Sequence, residues 1–350
     1  MTFLPTSDDS AEQTSTRRIA AVIYNPVKVE RDDLHSAIAA DTGSWGPPMW
    51  LETSEDDPGS GVAAQAVEAK VDLVIAAGGD GTVRAVAEAL QGTGIPLALV
   101  PSGTGNLLAR NLDLVLDDLR LSIDVALNGV DRTIDVGVID LEREDGSRDR
   151  HSFVVMAGVG IDAKMIENTN EDLKKRVGWL AYVDAITRSM RDTSQLRLRF
   201  QLDRGATQHL RAHTVIIGNC GSLPANMLLI PDARIDDGRF DIVFLRPKGI
   251  MGWVQIWWRV AWENGIIRKT KAGRKLMGET KEIRALEYDT ASDMTARFAR
   301  AETIQLDGDT FGKIVAFRAW ADPLSVRVRV PRESSAETSR GRTDATDVIR

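Results

Sequence analysis

Disulfide chemistry is the first thing that the sequence excludes. Its 350 residues include one cysteine, Cys220, so no disulfide can form within the chain. A single thiol is typical of proteins that work in a reducing compartment, and Cys220 is interpreted as a packed thiol at the end of a strand. The four histidines lack the spacing of metal ligands, so no histidine-based metal centre is expected.

Long apolar runs are also absent. No uninterrupted apolar segment reaches the roughly 18–20 residues that cross a bilayer. Residues 1–17 are polar and lack the apolar centre of a secretion signal. These observations predict a cytoplasmic protein that contacts a membrane only at its surface.

An excess of positive charge is missing as well. The formal net charge is −7, so no nucleic-acid partner is expected. The hydrophobic share of 43% and the charged share of 27% are typical of a soluble globular protein, and the length allows two cores. The composition leaves the oligomeric state open, a homodimer included.

Residues 18–135 predict an α/β domain. Apolar runs that read as strands alternate there with segments that read as helices. Apolar strands between helices are typical of a doubly wound parallel sheet that is covered on both faces. The predicted strands are 18–26, 49–53, 71–78 and 96–103, and the predicted helices are 32–40, 61–70 and 82–90.

Residues 136–331 predict a second, mostly antiparallel β-rich domain, because several strand-like segments alternate apolar and polar residues between polar turns. One helix is expected around residues 171–190, and a tryptophan-rich helix is expected after Pro247. The last strand could return to either domain. The polar tails, 1–17 and 332–350, are predicted to be disordered.

Small and polar residues follow four of the predicted parallel strands, where ligands bind in such sheets. They are Asn25, Thr53, Gly78–Thr82 and Gly103–Asn106. The two glycine-rich loops leave backbone N–H groups available and predict a cradle for a polyphosphate. Their sequences differ from the dinucleotide motif G-x-G-x-x-G and from the Walker motif GxxxxGKS/T, so neither standard site is implied.

The two loops, "GGDGT" (78–82) and "PSGTGNLLAR" (101–110), resemble the diacylglycerol kinase catalytic family, bacterial lipid kinases related to sphingosine and ceramide kinases. NAD kinases and phosphofructokinases also carry "GGDGT", but the Asn-Asp signature that follows the second loop in NAD kinases is missing here. The resemblance covers most of residues 19–331 and includes "NPVKV" (25–29), "LETSEDDPGSG" (51–61), "LKKRVGWLAY" (173–182), "LLIPDARIDDGRFDIV" (228–243) and "QLDGD" (305–309).

This resemblance implies a lipid kinase that uses ATP and Mg²⁺. Residues 18–135 would form the ATP-binding catalytic domain, and residues 136–331 would form the domain that shapes the lipid-acceptor site. The implied ATP-binding residues are Asn25, Pro26, Thr53, Gly78, Gly79, Asp80, Gly81, Thr82, Gly103, Thr104, Gly105 and Asn106.

Two charged side chains beside the phosphates follow from the same resemblance. Asp80 would hold Mg²⁺ through water, since magnesium gives up its hydration reluctantly. The alternative for Asp80 is the N-cap of the helix that follows it. Lys174 would reach the phosphates, with Lys175 as a rival and a solvated helix face as the alternative.

The catalytic base implied by the resemblance is Asp309. The family carries glutamate there, and aspartate is one methylene shorter, while a base must come within roughly 2.6–3.2 Å of the proton it removes. The alternative is a hairpin turn over residues 307–309, for which Asp-Gly is the expected chemistry. If Asp309 is not a base, the chain becomes a non-catalytic module that binds nucleotide or lipid.

A second metal site is implied at Asp237. By resemblance, Asp237 would hold a structural Mg²⁺ together with nearby backbone carbonyls. The alternative is a surface turn that needs no metal, because Asp and Gly are the ordinary residues of such turns.

Residues 249–275 combine tryptophan with a basic cluster. Trp253, Trp257, Trp258 and Trp262 lie within ten residues, and Arg and Lys residues follow them directly. This combination is typical of a helix at an anionic membrane surface, while a core helix with a solvated basic loop is the alternative. We predict peripheral contact with the inner face of the membrane through this segment.

The favoured reaction is phosphorylation of diacylglycerol to phosphatidic acid. Sphingosine, ceramide or another lipid alcohol is the nearest alternative acceptor, because no motif reads the headgroup. An NAD-kinase-like enzyme with a soluble substrate and a non-catalytic regulator are the other two alternatives.

Overall fold

The computed structural model describes residues 17–40, 43–160, 195–223, 227–228, 230, 233–247, 249, 252, 256 and 286–332. Strands and helices alternate at first, and strands dominate later. The elements are β1 (Ala20–Tyr24), α1 (Arg31–Ala39), β2 (Met49–Glu52), α2 (Ser60–Glu68), β3 (Leu73–Gly78), α3 (Asp80–Leu90), β4 (Leu97–Pro101), α4 (Leu107–Asn111), α5 (Leu119–Asn128), β5 (Val130–Glu142), β6 (Arg148–Phe153), β7 (Met156–Val159), β8 (Leu196–Leu202), β9 (Gln208–Ala212), β10 (Thr214–Gly218), β11 (Ser222–Leu223), β12 (Met227–Leu228), β13 (Phe240–Leu245), β14 (Leu286–Ala291), β15 (Asp293–Leu306) and β16 (Asp309–Val330).

Parallel strands in the order β4-β3-β1-β2 form the sheet of the first part of the chain. All residues of β1 and β3 are buried, because helices pack on both faces. On one face, α2 and α3 cover alternate residues of β3 such as Val74 and Ala76. On the other face, α1 and α5 cover Leu73 and Ile75. The predicted doubly wound α/β sheet is confirmed.

The last strand, β16, joins the two parts of the chain. It pairs antiparallel with β15 and with β5, and near its end Val328 lies opposite Leu97 of the parallel strand β4. The sheet continues from β15 through antiparallel neighbours in the order β7-β10-β13-β14. The predicted antiparallel β-rich part is confirmed, and β16 pairs with strands of both parts of the chain within one sheet.

The described elements leave several predictions untested. β5 runs through the predicted boundary between residues 135 and 136, so that boundary stays a prediction. The predicted helix at 171–190 and nearly all of the tryptophan-rich segment lie outside the described residues, as do most of both tails. Within the described part, no helix combines the length and apolar character that a membrane span needs.

The interior contains polar groups that are paired with the backbone. Asp135 is fully buried, and its two carboxylate oxygens accept N–H groups of Gly238 at 2.6 Å and of Leu324 at 2.8 Å. The buried Asn219 amide donates to the carbonyls of Asp135 at 2.9 Å and of Val154 at 3.0 Å. Cys220 is buried as predicted, and burial raises the pKa of its thiol. Since buried polar groups need partners, these bonds tie β5 to three later segments.

We predict that Asp135→Asn lowers the free energy of unfolding by about 1–3 kcal/mol, because an amide nitrogen cannot accept a buried N–H. Urea denaturation at neutral pH measures the change. Asp236→Asn is the control, since Asp236 lies close to Gly238 in the same loop and makes a surface ion pair with Arg132 at 2.8 Å. Such a pair contributes at most about 1 kcal/mol. Equal losses in the two variants would contradict the prediction.

Candidate active site

The two glycine-rich loops meet at one edge of the parallel sheet. β3 and β4 are neighbours, with Gly78 opposite Pro101, so the loops that follow them start side by side. A Cβ placed on Gly103 would lie only 2.9 Å from the Cα of Gly79, closer than carbon atoms approach without strain. The loops therefore touch through their backbones, and glycine at position 103 is required by that contact.

The second loop is shaped by Asn106. Its backbone is left-handed, with φ +48°, and its side chain folds back onto Gly103. The amide oxygen accepts the Gly103 N–H and the amide nitrogen donates to the Gly103 carbonyl, both at 3.0 Å. These bonds fix the loop conformation, while a contact of Asn106 with ATP stays a prediction. Thr104 is exposed at the tip of the loop.

Asp80 links the two loops. It is the first residue of α3. No side chain caps that helix, so Asp80 does not act as its N-cap in the structure. Instead, Oδ1 accepts the N–H of Leu107, the first residue of α4, at 2.5 Å, and a Cβ on Gly105 would overlap Oδ2. Burial raises the pKa of Asp80, the N–H groups of Leu107 and Asn106 lower it, and the Asp309 carboxylate raises it.

The remaining predicted nucleotide residues lie at the same edge. Asn25 follows β1, donates its N–H to the Ala77 carbonyl at 2.9 Å and accepts the Val27 N–H at 2.9 Å. Thr53 follows β2 and is buried, whereas Pro26 is exposed. Thr82 is buried in the first turn of α3. The structure thus brings these residues to the carboxyl ends of the strands, and their contacts with ATP stay predictions.

Asp309 lies against the first turn of α3. It pairs with Leu306 across the turn between β15 and β16, whose two residues, Asp307 and Gly308, have φ of +49° and +98°. The Asp309 Oδ2 atom lies 2.7 Å from the point that a Cβ on Gly81 would occupy. The predicted hairpin turn exists, and it presents the Asp309 carboxylate to the first glycine-rich loop, so the two interpretations of this stretch are compatible.

Asp307 is a buried residue for which the sequence predicts only a place in a turn. Its carboxylate accepts the N–H groups of Val154, Val155 and Met156, each at 2.8 Å. Burial raises its pKa to about 6, although the three N–H donors act in the opposite direction. These bonds anchor the turn, and therefore Asp309, to the junction of β6 and β7.

Arg84 is a second residue of the site that motif reading misses. Only 9% of its side chain is exposed, and its guanidinium lies 3.8 Å from Asp309 and 3.6 Å from Glu88. The sequence does contain a signal for it. Asp80, Arg84 and Glu88, the three charged residues of α3, are spaced four residues apart and so form one charged row on that helix.

Two predicted site residues remain, Lys174 and Asp237. Lys174 and its rival Lys175 lie outside the described residues. Asp237 is exposed and accepts the N–H of Arg239 at 3.1 Å, which is the geometry of a turn. Throughout the described ranges, no group of three acidic, histidine or cysteine side chains could surround a metal ion. A structural Mg²⁺ at Asp237 stays a prediction that its contacts do not favour.

Comparison with known proteins assigns the chain to a family. Residues 20–139 match the diacylglycerol kinase catalytic domain, and residues 154–261 match the YegS C-terminal NAD kinase β-sandwich-like domain. A Pseudomonas aeruginosa protein named "Probable lipid kinase YegS-like" is 33% identical over 226 residues, which cover 63% of this chain and 70% of that protein. The chain belongs to the diacylglycerol kinase and YegS-like lipid kinase family, as its loop motifs predict.

Other similar proteins carry narrower information. A Mycobacterium tuberculosis diacylglycerol kinase is 32% identical over 182 residues, covering 51% of this chain and 56% of its own length, so the match spans little more than half of that relative. The crystal structure of a Bacillus anthracis diacylglycerol kinase has a TM-score of 0.59 at 18% identity and covers 92% of this chain and 99% of its own. Yeast NADH kinase has a TM-score of 0.52 at 9% identity, covering 91% and 85%. Both structures support the fold alone.

We predict that Gly103→Ala weakens ATP binding and lowers the free energy of unfolding by about 1–3 kcal/mol, because the new methyl group forces the two loops apart. Gly79→Ala is the matched control, since a Cβ there would lie 3.8 Å from the Cα of Gly103, an ordinary contact. Urea denaturation and calorimetric titration with ATP measure the two effects. Equal losses of unfolding free energy in the two variants would show that the loops do not touch as described.

The buried Asp307 predicts a pH dependence of stability. Its pKa in the folded protein, about 6, exceeds the usual aspartate value of about 4. A raised pKa contributes stability that is complete below pH ~4 and is lost as the pH rises through ~6. We subtract the unfolding free energy of Asp307→Asn from that of wild type. This value should be more positive at about pH 5 than at about pH 7.5, by about 1–2 kcal/mol. A constant difference would rule out this titration.

Proposed function

We propose that the protein is an ATP-dependent kinase that phosphorylates the free hydroxyl of diacylglycerol and forms phosphatidic acid. The observation that carries the proposal is the position of Asp309. Its carboxylate lies beside Gly81, at the loop that would hold the phosphates, and close enough to Asp80 to raise the pKa of that residue. A base and a phosphate cradle at one place are what phosphoryl transfer to an alcohol requires.

The chemistry follows from this arrangement. Backbone N–H groups of Gly78–Thr82 in the first loop, and those of Thr104 and Gly105 in the second, hold the ATP phosphates. The N–H of Gly103 is donated to the Asn106 side chain and that of Asn106 to Asp80, so both shape the loop instead. Asp309 accepts the proton of the lipid hydroxyl. The hydroxyl oxygen forms a bond to the γ-phosphorus, and the bond from the γ-phosphorus to the bridging oxygen breaks and releases ADP. The proton on Asp309 then passes to solvent, which its half-exposed side chain reaches.

Asp80 suits a hydrated Mg²⁺. One of its oxygens is engaged by Leu107, and Gly105 leaves room around the other because a Cβ there would overlap it. Carboxylate oxygen is the ligand that Mg²⁺ prefers, with water filling its remaining positions. When bound there, the ion would offset the negative charge of the phosphate oxygens.

Two acceptor classes compete with diacylglycerol. Sphingosine, ceramide or another lipid alcohol would use the same base and the same loops. An NAD-kinase-like reaction is supported by the fold, which is shared with yeast NADH kinase, and it would need no membrane. We propose a lipid acceptor because the YegS-like relative of this chain is named a lipid kinase.

The lipid acceptor implies a place in the cell. The protein would act in the cytoplasm and bind the inner face of the membrane peripherally. Residues 249–275 are the proposed contact, because their tryptophans and basic residues suit an anionic surface.

The proposal predicts that labelled γ-phosphate passes from ATP to diacylglycerol in anionic vesicles. Asp309→Asn is expected to lower kcat by about 100- to 10,000-fold while ATP still binds, because the base is lost and the cradle is kept. Asp140→Asn is the control, since Asp140 makes an ion pair with the exposed Arg150 and is not one of the residues assigned to the site. Thin-layer separation of labelled lipids measures the product.

Each alternative gives a different result in the same assay. Label on sphingosine or ceramide would change the acceptor and keep the mechanism, whereas label on NAD alone would reject the lipid kinase. A non-catalytic regulator would bind ATP without turnover, and Asp309→Glu would then be the variant that gains activity.

A further inference from the structure

Arg84 is not explained by stability. Its side chain is nine-tenths buried, and its Nε atom has no hydrogen-bond partner among the described residues. Its two nearest acidic oxygens, on Glu88 and Asp309, lie at 3.6 Å and 3.8 Å, too far for good hydrogen bonds. A buried charge held so loosely is commonly matched or exceeded in stability by an apolar side chain of similar size.

The surroundings of Arg84 are mainly acidic. Asp80 and Glu88 lie one turn before and one turn after it on α3. Asp309, at the start of β16, faces the guanidinium. The Arg84 charge also lowers the pKa of the buried Asp307. The guanidinium stacks on the ring of Phe311 at 4.5 Å, a contact that holds a cation in place without consuming its charge.

This placement addresses the short side chain of Asp309. An aspartate reaches less far than a glutamate, and the negative charge of Asp80 and of bound phosphates would push Asp309 away from α3. Gly81 leaves the space into which the Asp309 carboxylate projects. Arg84, one turn further along the same helix, supplies the attraction toward that space.

We propose that Arg84 is a positioning residue that draws the Asp309 carboxylate against α3 and keeps it there when phosphates bind. The inference rests on the proposed kinase function, in which Asp309 is the base. Arg84 acts through Asp309 and not through a contact of its own with the lipid.

The first test compares Arg84→Met, which keeps the length of the side chain and removes its charge, with wild type. We expect kcat to fall about 10- to 100-fold, because small misplacement of a reacting group has effects of that size. The KM for ATP should stay within about 3-fold, since the loops are unchanged. The urea midpoint should be equal or higher, because Asp309 and Glu88 stay hydrated with 52% and 30% of their side chains exposed.

Two further variants sharpen this comparison. Arg84→Lys restores a positive charge without the planar stacking group, so kcat should recover to within about 10-fold of wild type. Arg150→Met is the matched control, because Arg150 also pairs with an aspartate, Asp140, and stacks on a ring, Trp320, but with 65% of its side chain exposed. A drop in kcat that comes with a lower urea midpoint, or wild-type kcat in Arg84→Met, would overturn the proposal.

The decisive measurement is the pairing of Arg84→Met with Asp309→Ala. If Arg84 works through Asp309, the double variant should be no slower than Asp309→Ala alone, because coupled groups are not additive. In urea unfolding, Asp309→Ala should lower the midpoint of the wild-type protein and leave the midpoint of the Arg84→Met variant unchanged. This second measure needs no turnover. If no lipid is phosphorylated, the proposed function fails while the unfolding cycle still decides the role of Arg84, and additive effects would reject that role.

Discussion

The anchoring of Asp307 is the interaction on which the candidate site depends. A two-residue turn at the end of a long hairpin has few contacts that could fix its position. Asp307 removes that freedom, since its buried carboxylate binds three consecutive N–H groups at the junction of β6 and β7. Because Asp309 follows two residues later, the same bonds decide where its carboxylate lies. Loss of those bonds would free the turn before it disturbed the parallel sheet.

The site combines negative side chains with donors that belong to the backbone. Asp80 and Asp309 lie at the loops and Asp307 lies beneath them, and two guanidinium groups are close by. Arg84 faces Asp309 and lowers the pKa of Asp307, while Arg110 donates to the Gly105 carbonyl of the second loop at 2.8 Å. A polyphosphate would therefore meet carboxylates, and it could bind only where N–H dipoles and a divalent cation offset them. The close contact of the two glycine loops supplies the first of these conditions. Asp80, held in place by Leu107, is suited to the second.

Sequence reasoning predicts the parts of this arrangement that local pattern determines. Apolar strands between helices give the parallel sheet, and glycine after a strand gives the loops that Gly79 and Gly103 bring together. The role of Asp307 could not be predicted from local sequence pattern. An Asp-Gly pair is ordinary turn chemistry, and only the fold shows that this aspartate is buried and bound by residues about 150 positions away.

Arg84 shows a different limit of sequence reasoning. Its spacing of four residues from Asp80 and from Glu88 places three charges on one face of α3, and this spacing can be read directly from the sequence. Such a row is usually solvated, and helix periodicity alone cannot tell which face of a helix meets a second domain. The burial of Arg84 follows from the packing of the β15–β16 turn against α3, with Phe311 over the guanidinium, and that contact joins residues more than two hundred positions apart.

The pairing of β16 explains how such distant residues keep one geometry. Asp309 begins β16, and the same strand ends by pairing with β4, the strand that leads into the second glycine loop. β5 pairs with β16 along most of its length, so its register resists sliding, since a slip by one residue would turn buried side chains outward. The base candidate and the two glycine-rich loops are therefore connected through one sheet. A rigid connection of this kind suits a reaction in which an aspartate, shorter by one methylene than the usual glutamate, must come within hydrogen-bond distance of its proton.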